Sequence, residues 1–66
     1  MAVVKVIEIM AESEKGWEDA TKVALNAASK SVKNIKSIYI NDMQAIVEND
    51  EIVRYRVNAK ISFLVE

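Results

Sequence analysis

Two strand-like runs, IKSIYINDMQAIVE (35–48) and EIVRYRVNAKISFLVE (51–66), meet at the dipeptide Asn49-Asp50. Asparagine and aspartate tolerate positive φ, so the dipeptide predicts a two-residue hairpin turn, and a turn of that length fixes strand register. It places Ile38 opposite Ile61, Ile40 opposite Ala59 and Ile46 opposite Val53 on an apolar face. Ser37 then meets Ser62, Tyr39 meets Lys60 and Met43 meets Arg56 on the other. Asp42 and Gln44 fall on the apolar face under this register, and a bulge near Asn41-Asp42 relieves the conflict. Strands of this length span nearly ~50 Å at ~3.3 Å per residue.

Upstream, AVVKVIEIM (2–10) is β-branched, with Lys5 and Glu8 on opposite faces, and reads as a first strand covered on both sides. Residues 13–35 read as a helix. Ser13 is placed to cap it, Glu14, Glu18 and Asp19 sit at its positive end, and Lys30 and Lys33 sit at its negative end. Glu18 and Lys22 form an i,i+4 pair. Trp17, Ala20, Ala24, Ala27 and Ser31 form a narrow stripe with Ala28 and Val32 beside it, small enough for close approach to a sheet. Trp17 reads as the core anchor. Gly16 weakens the first turn, and Asn34 is the expected terminator. The helix covers only ~30 Å at ~1.5 Å per residue, so the hairpin must curl around it or overhang it. The expected fold is α+β: a βαββ subunit in one domain, 1–66, with a three-stranded antiparallel sheet wrapped around one helix.

With 66 residues the core is small, and such chains depend on disulfides, a structural metal or oligomerisation. Cysteine and histidine are both absent, which leaves self-association or a metal held by oxygen ligands. A hydrophobic share of 52% also favours burial between subunits. Nine basic and ten acidic residues are well mixed, so no basic stripe indicates a nucleic-acid partner. No apolar run reaches the ~20 residues that span a bilayer, and the N-terminus lacks the pattern of a signal peptide. A soluble, cytoplasmic protein without a membrane partner is the expectation.

Catalysis has little support. The serines have no histidine to activate them, and one glycine cannot make a phosphate-binding loop. Asp42 and Glu48 are conceivable as an acid/base pair but read better as solvated carboxylates. The acidic run ENDE (48–51) lacks the spacing and glycine of an EF-hand loop, although symmetry converts one carboxylate per chain into a ring able to hold a hard cation. Asp42, Glu48 and Asp50 are the candidate metal ligands. The cationic row Arg54, Arg56 and Lys60 leaves three readings open: a solvated face, pairing with a neighbouring subunit's carboxylates, or a ligand pocket.

The segments VVKVIEI, SEKGWEDA and YRVNAKISF, in this order and spacing, make the chain similar to the dodecins along its whole length. The resemblance implies a hollow homododecamer of cubic symmetry that binds a small ligand without being an enzyme. Flavin-binding members stack isoalloxazine rings on a tryptophan, where this chain has Ser37. Their ring-binding glutamine corresponds to Arg56, which donates but cannot accept a hydrogen bond. Arginines that hold the phosphate of flavin mononucleotide in some members correspond to Gln44 and Leu64. These four departures argue against ordinary flavin binding. The chain resembles instead the calcium dodecins, which also lack the tryptophan and carry arginine after the strand tyrosine, and this resemblance implies Ca²⁺. A flavin in a modified pocket contacted by Ser37, Tyr39 and Arg56 is the alternative, and a ligand-free scaffold is a third.

Overall fold

The computed structural model describes residues 3–65. The elements are β1 (Val3–Ser13), α1 (Trp17–Ser29), β2 (Ile35–Glu48) and β3 (Glu51–Val65). All strand pairings are antiparallel and the sheet order is β1-β3-β2. The α+β, βαββ architecture expected from the sequence is the one observed. Ala2 and Glu66, expected as strand ends, lie outside the described residues.

The β2–β3 turn forms as expected. Asn49 and Asp50 have φ of 54° and 61°, the positive values that a type I′ hairpin requires at both central residues. The register holds at the far end, where Ser37 faces Ser62, Ile38 faces Ile61, Tyr39 faces Lys60 and Ile40 faces Ala59. It departs in the middle. Shifts between Ile46 and Val47 and between Ile40 and Asp42 offset five pairs by one residue. Ile46 therefore faces Arg54 rather than Val53, and Met43 faces Val57 rather than Arg56. The second shift is the expected bulge at Asn41-Asp42. Between the two, Asp42 and Gln44 are released to solvent, and Gln44 is brought opposite Arg56.

Three further expectations are corrected. Strand β1 runs past residue 10 to Ser13, because Ala11, Glu12 and Ser13 stay paired with Val57, Arg56 and Tyr55. Ser13 is consequently a strand end and not a helix cap. Its Oγ accepts from the Lys15 amide at 3.0 Å and donates to Asp19, tying β1 to the helix start. The N-cap is Gly16, at φ 150° and ψ 175°, without a side-chain cap. That conformation belongs almost entirely to glycine. The helix also stops at Ser29, so Lys30 and Lys33 lie beyond its last turn, and Asn34, at φ 62°, turns the chain into β2. Glu18 and Asp19 do occupy the first turn, and the Glu18–Lys22 pair forms at 3.9 Å.

The helix lies against β1 and β3, and Ala20, Ala24 and Ala28 of α1 with Val57, Ala59 and Ile61 of the central strand are the buried apolar core among the described residues. Ala27, expected in the stripe, is exposed. Three alanines at i, i+4 and i+8 on one helix face allow a close approach to the sheet. Trp17 is half-buried and meets Tyr55 edge-on, with centroids 4.9 Å apart at 74°, while its Nε1 donates to the Gln44 carbonyl at 3.0 Å. It ties the helix start to β2 and β3 from the margin of the core, and is not the buried core residue expected from the sequence. The helix covers ~20 Å of a chain 51 Å long, so the hairpin overhangs it. Val4, Val6, Met10, Met43, Val47 and Ile52 remain exposed along the sheet.

Candidate functional site

The sheet face away from α1 carries the candidate residues. Alternation along β3 sends Arg54, Arg56, Asn58, Lys60 and Ser62 to this face, opposite to the buried Val57, Ala59 and Ile61. Because β3 is central, both β1 and β2 supply partners.

At the middle of this face Glu12 bridges two arginines. Its Oε2 accepts from Arg56 Nε at 2.7 Å and its Oε1 from Arg54 Nε at 3.0 Å. Arg56 Nη1 also donates to Gln44 Oε1 at 3.4 Å, and Arg54 Nη2 lies 4.0 Å from Glu48 Oε2. Three strands are thus joined by one charge network. The Arg56 hydrogen bond holds the Glu12 carboxyl below its ordinary 4.5, against partial desolvation and with the charges of Arg56 and Arg54 adding to it. The two arginines of the cationic row are therefore matched within their own chain, an arrangement outside the three readings open from sequence, whereas Lys60 has no ion pair among the described residues. A first strand that ends at residue 10 leaves Glu12 outside the sheet, whereas the observed β1 reaches Ser13. The signal was the alternation itself, since Ala11 inward and Glu12 outward continue the pattern of Ile9 and Met10.

The expected pocket residues fall into two patches. Gln44 and Arg56 belong to the network just described. Ser37 and Tyr39 lie near the start of β2, where Ser37 Oγ and Ser62 Oγ hydrogen-bond to each other and Tyr39 is 63% exposed opposite Lys60. Leu64 is half-buried beside them, and its amide donates to the Asn34 carbonyl at 3.1 Å. Positions 56 and 60 of β3 are ~13 Å apart along the strand, so one chain does not bring all five around one small ligand.

The candidate metal ligands are also dispersed. Asp42 lies opposite Asn58 and accepts from Asn41 Nδ2 at 3.2 Å, whereas Glu48 and Asp50 sit at the hairpin tip, ~20 Å further along β2. Among the described residues no three side chains of His, Cys, Asp or Glu gather as a metal-binding group. One chain alone does not fit a calcium ion. Also among these residues, no helix is long and apolar enough to cross a membrane.

Comparison with known proteins matches residues 3–66 to the family described as Dodecin. The calcium dodecin of Mycobacterium tuberculosis is 32% identical over 63 residues, covering 96% of this chain and 89% of that protein. A crystal structure of that protein, described as calcium-chelating with a calcium-binding site, superposes with a TM-score of 0.85 at 30% identity, covering 97% of this chain and 91% of the other. A Thermus thermophilus dodecin variant has a TM-score of 0.94 at 24% identity over 100% of this chain and 98% of its own, and establishes the fold alone. From its fold and its sequence, the chain belongs to the dodecin family, in the calcium-dodecin-like branch.

Proposed function

We propose that the chain is the single-domain subunit of a hollow homododecamer that binds or sequesters a small ligand or cation, Ca²⁺ first, without catalysis. The observation that carries the ligand reading is the near full-length relation to a calcium dodecin at 32% identity. The structure adds a physical reason for assembly. Six side chains make the buried core of one subunit, while exposed valines, methionines and isoleucine line both sheet edges, and apolar surface of this extent calls for a protein partner.

Assembly also answers the dispersal of the candidate ligands. Asp42, Glu48 or Asp50 repeated around a symmetry axis supplies several carboxylates to one ion, the oxygen-rich set that Ca²⁺ takes. Ca²⁺ in such a ring neutralises charge and ties subunits together. Ser37, Tyr39 and Leu64 of one copy similarly need another copy to close a pocket with Gln44 and Arg56.

The flavin alternative rests on the same face. Tyr39 offers an exposed ring, but Arg56 is committed to Glu12 and Gln44, so a flavin edge meets a partly satisfied donor. Native mass spectrometry tests these readings together. Twelve subunits that take up Ca²⁺, with a rise in melting temperature on CaCl₂ addition, support the cation reading. A yellow assembly that releases flavin on heating replaces it with the flavin reading. A monomer or dimer refutes the dodecamer.

A further inference from the structure

The elongated subunit carries opposite charge at its two ends. At the hairpin tip Glu48, Asp50 and Glu51 cluster between Val47 and Ile52, which stay 59% and 55% exposed. Glu48 and Glu51 are direct cross-strand partners. Like charges in that position weaken a hairpin unless a cation lies against them. Arg54 approaches Glu48 only to 4.0 Å.

At the other end, between the last turns of α1 and the start of β2, lies an open groove of about 590 Å³. Leu25, Val32 and Ile35 line it, with Lys22 and Lys33 beside them. Leu25 is 41% exposed. Lys22 makes only the loose 3.9 Å contact with exposed Glu18, and among the described residues Lys33 has no ion pair. This end has apolar surface with one unpaired and one loosely paired lysine, and the tip has apolar surface and three carboxylates against the single long Arg54 contact.

We propose that the hairpin tip of one copy docks head to tail in this groove of a second copy. Val47 and Ile52 cover Leu25, Val32 and Ile35, while Glu48 and Glu51 meet Lys22 and Lys33. The inference rests on the assembly read above and goes further by naming which surfaces meet. A head-to-tail contact uses two different patches of each subunit and closes into a ring when its rotation permits. The overhang of the hairpin beyond the helix supplies the reach.

The test is zero-length carbodiimide cross-linking of the assembled protein, followed by peptide mapping. Glu48 and Ile35 stand at opposite ends of β2, roughly 40 Å apart, so a bond from Glu48 or Glu51 to Lys33, two residues from Ile35, forms only between copies. Such bonds, in species of two or more chains, are the expected result. An assembly of twelve by native mass spectrometry without these bonds overturns the docking and leaves the assembly standing. A monomer overturns both. Carbodiimide modification of Glu48 and Glu51 that CaCl₂ blocks and assembly does not would put a cation in place of the lysines and overturn the proposal. Reversing both lysines, Lys22→Glu with Lys33→Glu, raises the concentration needed for assembly by about tenfold or more. Adding Glu48→Lys and Glu51→Lys restores it. All four positions are solvent-facing, so the variants keep the subunit fold. Failure of the swap to restore assembly counts against the docking.

Discussion

Replacing Ile61 by alanine tests whether the seam between α1 and β3 is what holds the subunit together. Ile61 is fully buried, and its strand neighbours are Ile7 on β1 and Ile38 on β2. The substitution removes three carbons, worth about 2.4 kcal/mol at ~0.8 kcal/mol per buried methylene. The residual void adds ~1–2 kcal/mol where the neighbours fail to close it. Both flanking isoleucines are pinned in ladders, and the helix above presents only alanine, so little collapse is available. The expected loss is about 3.4–4.4 kcal/mol, a large share of the stability of any domain this small. Urea unfolding followed by far-UV circular dichroism, at matched subunit concentration, measures it. A loss below ~1 kcal/mol with an unchanged denaturant slope would refute the assignment of the core to this seam and shift the stabilising burden to surfaces between subunits.

Other expectations follow from local geometry. Gly16→Ala costs about 1–3 kcal/mol because of its φ of 150°, although a Cβ there meets nothing within 4 Å; thermal unfolding reads the loss, and an unchanged melting temperature contradicts it. Glu12 has a depressed folded pKa. Its contribution is therefore present above the unfolded carboxylate pKa and is lost as pH falls through the lower folded value. Glu12→Gln flattens the acid limb of the stability profile below about pH 4.5 and leaves the slope near neutrality unchanged. An acid limb as steep in the variant as in the parent assigns the slope to other carboxylates. Asp50→Gly, at φ 61°, stabilises the turn by about 0.5 kcal/mol because glycine carries no left-handed penalty; a lower urea midpoint for the variant contradicts this.

The parts legible in the sequence were those decided locally. Asn49-Asp50 set the turn, and the register it implies puts Ala59 and Ile61 on the apolar face, where both are buried. The parts that were not legible depend on pairing across the sheet. Ala11-Glu12-Ser13 reads as a polar exit from a strand, yet three partners on β3 hold it in the ladder. Ser31 and Val32 continue the helical spacing, but their amides both bond back to the Ala28 carbonyl and the helix has already ended. A bulge at Asn41-Asp42 was readable from two polar residues on an apolar face. Its companion near Val53 left no such mark, because Ile46 and Val53 are apolar in either register. For the candidate site, the sequence offers Arg56, Gln44 and Tyr39 only one at a time. Their division into two patches, and the grip of Glu12 on both arginines, appear only once the chain is folded.

The six-residue core has a further consequence, for how this protein responds to its own abundance. A larger domain carries its stability within one chain, so dilution leaves it folded. In the assembly proposed above, little apolar surface is covered before chains meet, and stability would grow with chain concentration by mass action. Melting temperature should climb with every dilution step reversed. Newly made chains at low copy number are the ones most open to proteolysis, and accumulation itself becomes the event that protects the population.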